Sequence, residues 1–387
     1  MIVVFSSLFL LVFAGAVELM LHRSHLRKIP LRIYVNGSRG KSSITRLIAA
    51  GLNAGGISTF AKTTGSATRL IRPDGAEDVV TRNGMANISE QIRIIKNISQ
   101  HHADAAVIEC MAIRPHLQKV EAVQIVQPHI SVISNVRSDH VDVMGEKLTD
   151  IARSMLAAVP EESELFIGKK TWLLLHNSGF QDHEHLHIIE PDKYNLQDHL
   201  HDFSYYEHEE NIALALAVCE YLGVSSRDAL GGMKKARPDV GALRFLQTRY
   251  NGHTVQFINA FAANDPESIE KIWEQMSLAD VAKDRLLIVL LNARPDRPLR
   301  TRQFFQFITN KLFPDHFIFI GDFGVPVNHF LKNDKQGNIL DMTGMSADKI
   351  GEEIKALINR DAVIFACGNI AGIGLQMVNY FARAEEL

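Results

Sequence analysis

The chain has 387 residues, of which 46% are hydrophobic and 22% are charged, and its formal net charge is −3. These are values of an ordinary globular protein long enough for two domains, and the charge gives no indication of nucleic-acid binding. The three cysteines, Cys110, Cys219 and Cys367, are scattered, which excludes a disulfide framework and CxxC zinc spacing and fits a reducing cytosolic environment.

The N-terminus is the least polar part of the chain. Residues 1–17 contain no charged side chain, and Glu18 is the one acidic residue between them and Arg23. A helix over residues 1–21 is just long enough to cross a bilayer, which takes roughly 20 residues. Arg23, Arg27 and Lys28 follow at once, which predicts that the rest of the chain is cytoplasmic, and the basic n-region of a signal peptide is missing. We therefore predict a single-pass membrane anchor; a buried N-terminal helix is the alternative.

Short apolar strands alternate with helical segments in the first half of the chain, which is typical of a parallel α/β sheet. An apparent capping box at Asn87–Glu90 opens one of the helices. Residues 183–208 are rich in histidine without regular ligand spacing and are predicted to be mostly loop. The predicted strands are residues 31–35, 105–109 and 130–134, and the clearest predicted helices are 42–54, 147–159 and 211–222.

Proline and glycine interrupt this pattern at Pro238 and Gly241, which predicts a domain boundary. The first domain would then comprise residues 30–238 and a smaller, Rossmann-like α/β domain residues 239–387. The predicted strands of the second domain are residues 254–258, 285–291, 317–320 and 362–366, and residues 266–276 are a predicted helix.

A glycine-rich loop lies between the first predicted strand and the helix that follows it. Backbone amides of such a loop and the helix N-terminus bind phosphate, while Lys41 would reach the β- and γ-phosphates and Ser42 would hold Mg²⁺. A tight turn with a chance lysine is the alternative, but the strand–loop–helix context favours an ATP site. The predicted nucleotide-binding residues are Gly37, Ser38, Arg39, Gly40, Lys41, Ser42 and Ser43.

Polar side chains follow the next two predicted strands at their carboxyl ends, where α/β proteins place ligands. Glu109 ends one strand and is a suitable Mg²⁺ ligand, although a solvent-facing strand end would look the same. His140 lies in the segment Asn135–Asp142 after the other strand and could bind a metal or polarise a phosphate oxygen; a polar surface turn is the alternative. The hydroxyl of Thr64 could ligate a second cation, but its segment, Lys62–Ser66, reads from composition only as a loop.

Two segments of the second half carry further candidate residues. Asn264 precedes a predicted helix and is a candidate cofactor-binding residue or simply a helix N-cap. Arg294 and Arg297 follow a buried strand and could bind carboxylate or phosphate, or belong to a charged surface loop.

Taken together, these motifs resemble the Mur ligase superfamily. That family has a short P-loop, here Gly37–Ser43, a strand-end glutamate for Mg²⁺, here Glu109, and an N-x-x-x-D-H-x-D segment, here Asn135–Asp142. It often has an H-N/E-x-N helix start, here His208–Asn211. The resemblance covers most of residues 30–387.

Within the superfamily, the chain is most similar to the catalytic subunits of poly-γ-glutamate synthase (CapB/PgsB type). The segments that carry this similarity are VNGSRGKSS, KTTGS, ECMAIRP, NVRSDHVDVMG and NARPDR, together with the N-terminal anchor directly before the ATPase domain. Peptidoglycan ligases would need a nucleotide-sugar domain at the N-terminus, which the sequence lacks.

The resemblance implies an ATP- and Mg²⁺-dependent ligase that adds glutamate to a growing poly-γ-glutamate chain through an acyl phosphate. It implies catalytic roles for Lys41, Glu109 and His140. It also implies membrane subunits of a synthase or export complex as partners, and leaves a homo-oligomer open. Many Mur ligases carry a carbamoylated lysine in the region that here has Arg153 and no lysine, so a second Mg²⁺ would need Glu109, His140 and Thr64.

Three other functions remain open at this point. One is another amide ligase of the superfamily, of the folylpolyglutamate or cyanophycin type, although the membrane anchor counts against their soluble substrates. Another is a membrane-tethered P-loop ATPase that powers polymer export. The last is a nucleotide-binding regulatory subunit without catalysis.

Overall fold

The computed structural model describes residues 2–64, 68–82, 84, 86–137, 141–145, 147–179, 183–239, 241–262, 266–275, 277–293, 303–304, 307–321 and 338–385. The chain forms two compact units, one of residues 1–203 and 207–237, the other of residues 204–206 and 238–387. Each has its own sheet and its own hydrophobic core.

The first unit begins with a long apolar helix and contains an eight-stranded sheet. Its strands are β1 (Leu31–Asn36), β2 (Thr59–Thr63), β3 (Arg69–Ile71), β4 (Glu77–Val79), β5 (Ala105–Glu109), β6 (Ile130–Ile133), β7 (Glu164–Gly168) and β8 (Leu186–Ile189). The order is β4-β3-β2-β5-β1-β6-β7-β8, and only the pairs β2–β3 and β3–β4 are antiparallel. The predicted parallel α/β sheet is confirmed.

Helices connect these strands. They are α1 (Ile2–Arg27), α2 (Lys41–Ala54), α3 (Glu90–Ile98), α4 (Pro115–Val120), α5 (Val141–Met144), α6 (Leu148–Leu156), α7 (Lys169–His176), α8 (Gln197–Leu200), α9 (Glu209–Tyr221) and α10 (Ser226–Lys234). A π-helical stretch, Glu121–Val126, continues α4, and Pro191–Tyr194 is a 3₁₀ turn. The apolar face of α3 supplies Ile94, Ile95 and Ile98 to the core, because isoleucines at this spacing lie on one side of a helix.

The second unit has a six-stranded sheet, again mainly parallel. Its strands are β9 (Arg244–Tyr250), β10 (His253–Ala260), β11 (Leu286–Ala293), β12 (His316–Gly321), β13 (Ile339–Asp341) and β14 (Ala362–Cys367), in the order β13-β12-β11-β14-β10-β9, with β9 and β10 antiparallel. Its helices are α11 (Pro266–Gln275), α12 (Leu278–Ala282), α13 (Ala347–Leu357) and α14 (Ile373–Glu385), and Ile308–Leu312 is π-helical.

Helix α1 is long and apolar enough to cross a membrane. The candidate span is Val4–Arg27, with a mean hydropathy of 2.2, and its most apolar stretch is not buried against the described part of the chain. The helix therefore does not serve as a core helix of the first unit over that stretch, which was the alternative considered from the sequence.

Two local predictions are wrong. The Asn87–Glu90 segment is not a reciprocal capping box: Asn87 Oδ1 accepts from Ser89 N (3.0 Å), but the Glu90 side chain pairs with Lys62 and Arg82 instead. Lys62 is not in a loop either: it lies in strand β2, where pairing with β5 supplies the backbone hydrogen bonds.

Candidate active site

The phosphate loop occupies the turn between β1 and α2. Gly37 has a φ of 137° and Gly40 a φ of 81°, a region that side chains other than glycine rarely adopt. A Cβ atom at Gly37 would overlap Ser134 Oγ, and one at Gly40 would lie 2.7 Å from Asn211 Oδ1. The two glycines are therefore required both by backbone conformation and by close neighbours.

The segment after β6 braces this loop from one side. Ser38 N donates to Asn135 O (2.9 Å), and Asn135 Oδ1 accepts from Arg39 N (3.1 Å). Ser134 Oγ donates to Arg39 O (2.6 Å), and Arg137 N donates to Ser38 Oγ (2.9 Å). The beginning of the predicted Asn135–Asp142 segment thus lies against the phosphate loop, as the shared edge of a parallel sheet requires.

Lys41 is the first residue of α2 and folds back over the loop. Its Nζ donates to Gly37 O (2.6 Å) and is 3.4 Å from Ser38 O. The ammonium group therefore already lies within the loop whose amides would hold phosphate oxygens. This position suits a cation that offsets the charge of a terminal phosphate.

Two of the predicted metal-binding residues contact one carboxylate oxygen of a third, Glu109. Ser42 Oγ donates to Glu109 Oε2 at 2.9 Å, and the backbone amide of Thr64 donates to the same oxygen at 2.7 Å. The Thr64 hydroxyl lies 3.4 Å from Cys110 O, at the edge of hydrogen-bond distance. Glu109 is almost fully buried at the end of β5, so it is not a solvent-facing strand end.

This set of oxygen donors fits a small hard cation. Mg²⁺ is usually held by one or two carboxylates together with substrate phosphates rather than by a complete protein cage. Among the described residues, no group of three His, Cys, Asp or Glu side chains forms a metal cluster. Ser42 and Glu109 therefore fit an ion that completes its coordination with nucleotide phosphates and water.

The start of helix α9 also reaches the phosphate loop. Asn211, which faces Gly40, donates through Nδ2 to Glu207 Oε1 at 2.7 Å, and His208 N donates to the same oxygen at 3.0 Å. Burial lowers the pKa of His208, and the nearby Arg137 contributes to the same shift. The His208–Asn211 helix start, quoted above for its resemblance, is thus part of the site's wall.

Sequence reasoning missed a buried carboxylate next to the site, Glu121. It accepts hydrogen bonds from the amides of Met111 (3.1 Å) and Ala112 (2.9 Å), just beyond Glu109. Gln91 Nε2 donates to Glu121 Oε1 (2.8 Å) and to Glu109 O (3.1 Å), so it links the two segments. Burial raises the pKa of Glu121, against the effect of these hydrogen bonds.

A second group that sequence reasoning missed is a buried ion pair that involves Lys62, two residues before Thr64. Lys62 Nζ is fully buried and 2.7 Å from Glu90 Oε1, and Arg82 Nε donates to Glu90 Oε2 at 2.5 Å. Burial lowers the pKa of Lys62, while Glu90 opposes that shift. Burial also disfavours ionised Glu90, but the hydrogen bonds from Arg82 and Lys62 outweigh it and lower the pKa of Glu90 to about 2. A lysine within the apolar β2 segment was the available signal.

Several predicted site residues lie outside the described part of the chain. These are His140, Asn264, Arg294 and Arg297. Their proposed roles therefore stay predictions. Asn292, two residues before Arg294, is buried near the end of β11 and donates to Ala371 O at 3.0 Å.

The fold and the site agree with comparisons to known proteins. Residues 35–164 match the Mur ligase middle domain. The fold is similar to that of E. coli FolC in complex with ADP, with a TM-score of 0.68 and 15% identity over 94% of this chain and 92% of that chain. It is also similar to a Yersinia pestis bifunctional folylpolyglutamate synthase/dihydrofolate synthase complexed with AMPPNP and Mn ion (TM-score 0.66, 14% identity, 96% of this chain and 92% of that chain). The fold and the phosphate loop thus define a Mur-ligase-type, ATP-dependent amide ligase.

Sequence relatives give the family within this class. Residues 245–384 match the poly-gamma-glutamate synthase CapB C-terminal domain. Capsule biosynthesis protein CapB of Bacillus anthracis is 32% identical over 384 residues, covering 98% of this chain and 82% of the relative. PGA synthase CapB of Bacillus subtilis (strain 168) is 32% identical over 362 residues, covering 92% of each chain. The chain belongs to the CapB family of poly-γ-glutamate synthases.

Proposed function

We propose that this chain lengthens poly-γ-glutamate by joining a terminal γ-carboxylate of the polymer to the amine of an incoming glutamate, with ATP as the energy source. The observation that carries the proposal is the convergence of Lys41, Ser42 and Glu109 at a short phosphate loop. Membership of the CapB family supports the choice of glutamate as the amino acid.

The first step would activate the polymer carboxylate. A carboxylate oxygen attacks the γ-phosphorus of ATP, the bond between that phosphorus and the β,γ-bridging oxygen breaks, and ADP leaves with the bonding electrons. The loop amides and Lys41 would offset the negative charge on the transferring phosphoryl oxygens. The product is an acyl phosphate that remains in the site.

The second step would form the amide bond. The ammonium group of glutamate first loses a proton to solvent, and the resulting amine attacks the acyl carbon. The bond between that carbon and the phosphate oxygen breaks, and the nitrogen releases a second proton as the amide forms. Phosphate then leaves, and a γ-linked residue has been added. Water has to be excluded while the acyl phosphate exists, because hydrolysis would waste the ATP.

A divalent cation belongs to this proposal, and we assign it as Mg²⁺. Structures of similar fold contained ADP, or AMPPNP with Mn ion. Ser42 and Glu109 would hold the ion, with Glu109, His140 and Thr64 as the proposed ligands of a second one. The ion would supply charge compensation for the phosphates. Asn264 is a proposed nucleotide contact, and Arg294 and Arg297 are proposed to bind nucleotide phosphate or substrate carboxylates.

We further propose that α1 anchors the chain in the cell membrane with both units on the cytoplasmic side. Its length and the basic residues that follow it support this arrangement. Membrane subunits that receive the polymer would be its partners. Retention of the chain in membranes after alkaline extraction tests the anchor, and its release by alkali alone would contradict it.

Oxygen-isotope transfer tests the acyl-phosphate step directly. A short γ-linked glutamate acceptor labelled with ¹⁸O in its carboxylates is incubated with the full chain, Mg·ATP and glutamate. We expect the released phosphate to carry one labelled oxygen from the acceptor for each amide formed, because the attacking oxygen leaves with phosphorus. Amide formation with unlabelled phosphate would rule out this route.

A further inference from the structure

The junction between α1 and the first unit is fixed by side-chain contacts. His22 Nε2 donates to Ile125 O at 2.8 Å, and Leu26 is buried in the core that packs against α3. His25 Nδ1 lies 2.9 Å from Ser99 Oγ. The last two turns of α1 are therefore part of the folded unit, whereas the preceding stretch is exposed.

A basic cleft of about 510 Å³ opens at this junction. None of the described residues that line it is acidic. The lining residues are Arg23, Leu26, Arg27, Ile29, Pro30, Arg32, Gln127 and His129. The cleft thus presents three fixed positive charges beside an apolar edge.

Arg32 forms the fixed base of the cleft. Its Nε donates to Val126 O and Gln127 O, both at 3.0 Å, and its Nη1 donates to Ile29 O at 2.8 Å. These acceptors are neutral carbonyls, so they orient the guanidinium without cancelling its charge. Burial and the charge of Arg32 both lower the pKa of the neighbouring His129, which favours its neutral form.

Arg23 and Arg27 lie one turn apart on α1, and both are exposed. Within the described part of the chain, neither side chain has an ion-pair partner. Like charges at this spacing on a helix repel each other unless an anion lies between them. The described chain supplies no such anion, so one from outside would be favoured.

We propose that this cleft binds the phosphate of an anionic lipid headgroup. Arginine forks match phosphate oxygens in pairs, and the cleft surrounds the C-terminal end of the candidate span Val4–Arg27, where a spanning helix would meet the lipid headgroups. The inference depends on the proposed membrane anchor but not on the ligase activity. It would make lipid charge a determinant of how firmly the first unit is held at the membrane.

Native mass spectrometry of the full chain tests the site. The protein is released from neutral detergent micelles that contain equal amounts of phosphatidylglycerol and phosphatidylcholine. We expect phosphatidylglycerol to be retained preferentially, and Arg23→Gln/Arg27→Gln to reduce its occupancy at least tenfold. Arg227→Gln/Lys235→Gln removes the same charge from exposed positions elsewhere in the first unit and should retain the wild-type occupancy.

Other arms of the experiment identify the source of the phosphate and the failure modes. Displacement of phosphatidylglycerol by millimolar inorganic phosphate would overturn the lipid assignment in favour of a phosphate site that does not need acyl chains. Retention of phosphatidylglycerol would support the proposal. Equal retention of the two lipids, or equal losses in the two double variants, would overturn the proposal. If alkali released the Arg23→Gln/Arg27→Gln chain from membranes, the loss of lipid would be due to a failed membrane anchor and not to a lost lipid site.

Discussion

Lys41 carries a fixed positive charge into the phosphate loop. Replacing it by alanine should leave the fold intact, because among the described residues its Nζ hydrogen-bonds only to loop carbonyls. We expect ADP release to fall by about 10³-fold, the scale for losing a preorganised charge at a reacting group. The exposed Lys169→Ala is the control; near-normal turnover by Lys41→Ala would contradict the phosphate-loop assignment.

Glu109 should determine how much metal the reaction needs. Glu109→Gln removes the charge but keeps an oxygen that can accept from Ser42 and Thr64. We expect turnover to fall about 10²-fold, partly restored by excess Mg²⁺ or Mn²⁺, because a carboxylate ligand is lost. The measurement is ADP release during a metal titration, with exposed Glu162→Gln as control. An unchanged metal requirement would argue against this residue as a ligand.

Glu90 should make folding stability depend on pH in the acid range. Its pKa is lowered from 4.5 to about 2, so its ionised form stabilises the folded chain above pH 4.5, and this contribution is lost as the pH falls toward 2. At pH 7, Glu90→Gln should cost roughly 3–5 kcal/mol of unfolding free energy, because Lys62 loses its buried partner.

Denaturant unfolding at several pH values measures this effect. The difference between wild type and Glu90→Gln should shrink between pH 4.5 and 2. Lys62→Met should cost less than Glu90→Gln, since Glu90 keeps its hydrogen bonds from Arg82. Equal stability of wild type and Glu90→Gln at pH 7 would contradict a structural role for this group.

The sequence predicted only part of the site at this scale. Lys41 and Glu109 were predictable because a motif or a strand end placed them. Glu121 was not, since its partners, the amides of Met111 and Ala112 and the side chain of Gln91, are set by tertiary contacts that no local pattern encodes.

Helix α2 carries the phosphate loop, and its packing on α10 holds it in place. A Cβ atom at Gly232 of α10 would overlap the backbone oxygen of Ala50 in α2. Gly232→Ala should therefore push the helices apart and cost about 1–3 kcal/mol, with weaker ATP binding as a consequence.

Gly231 is a matched control in the same helix. A Cβ atom there meets nothing within 4 Å, so Gly231→Ala should be neutral or stabilise by up to about 1 kcal/mol through helix propensity. Denaturant unfolding and nucleotide titration of both variants make the comparison. The same effect from both substitutions would show that the α2–α10 contact is not limiting.

Helices and strands were predicted correctly where apolar runs are long. They were missed where a short strand forms only because it pairs with its neighbours. Strand β5 has the predicted bounds, and α2 begins one residue before its prediction. Strands β3 and β4, of three residues each, were missed because they contain charged side chains and depend on their neighbours. Pairing of Lys62 with β5 and of Thr63 with β3 likewise overrides the polar composition of these two residues.

In the first unit, the proposed lipid cleft and the active site lie at different ends of strand β1. Helix α1 leads into the amino end of β1, whereas the phosphate loop follows the carboxyl end of that strand. Six residues of strand span about 20 Å. The proposed lipid cleft therefore lies at the amino end of β1 and the active site at its carboxyl end. This arrangement would leave the active site open to soluble ATP and glutamate.

We expect this chain to couple ATP use to amide formation. The most direct measurement is ADP release by the detergent-solubilised full chain with Mg·ATP, with and without glutamate and a short γ-linked glutamate acceptor. We expect sustained ADP release to need both the acceptor and glutamate. Equal release without either of them would contradict it and would favour an ATPase that powers polymer export.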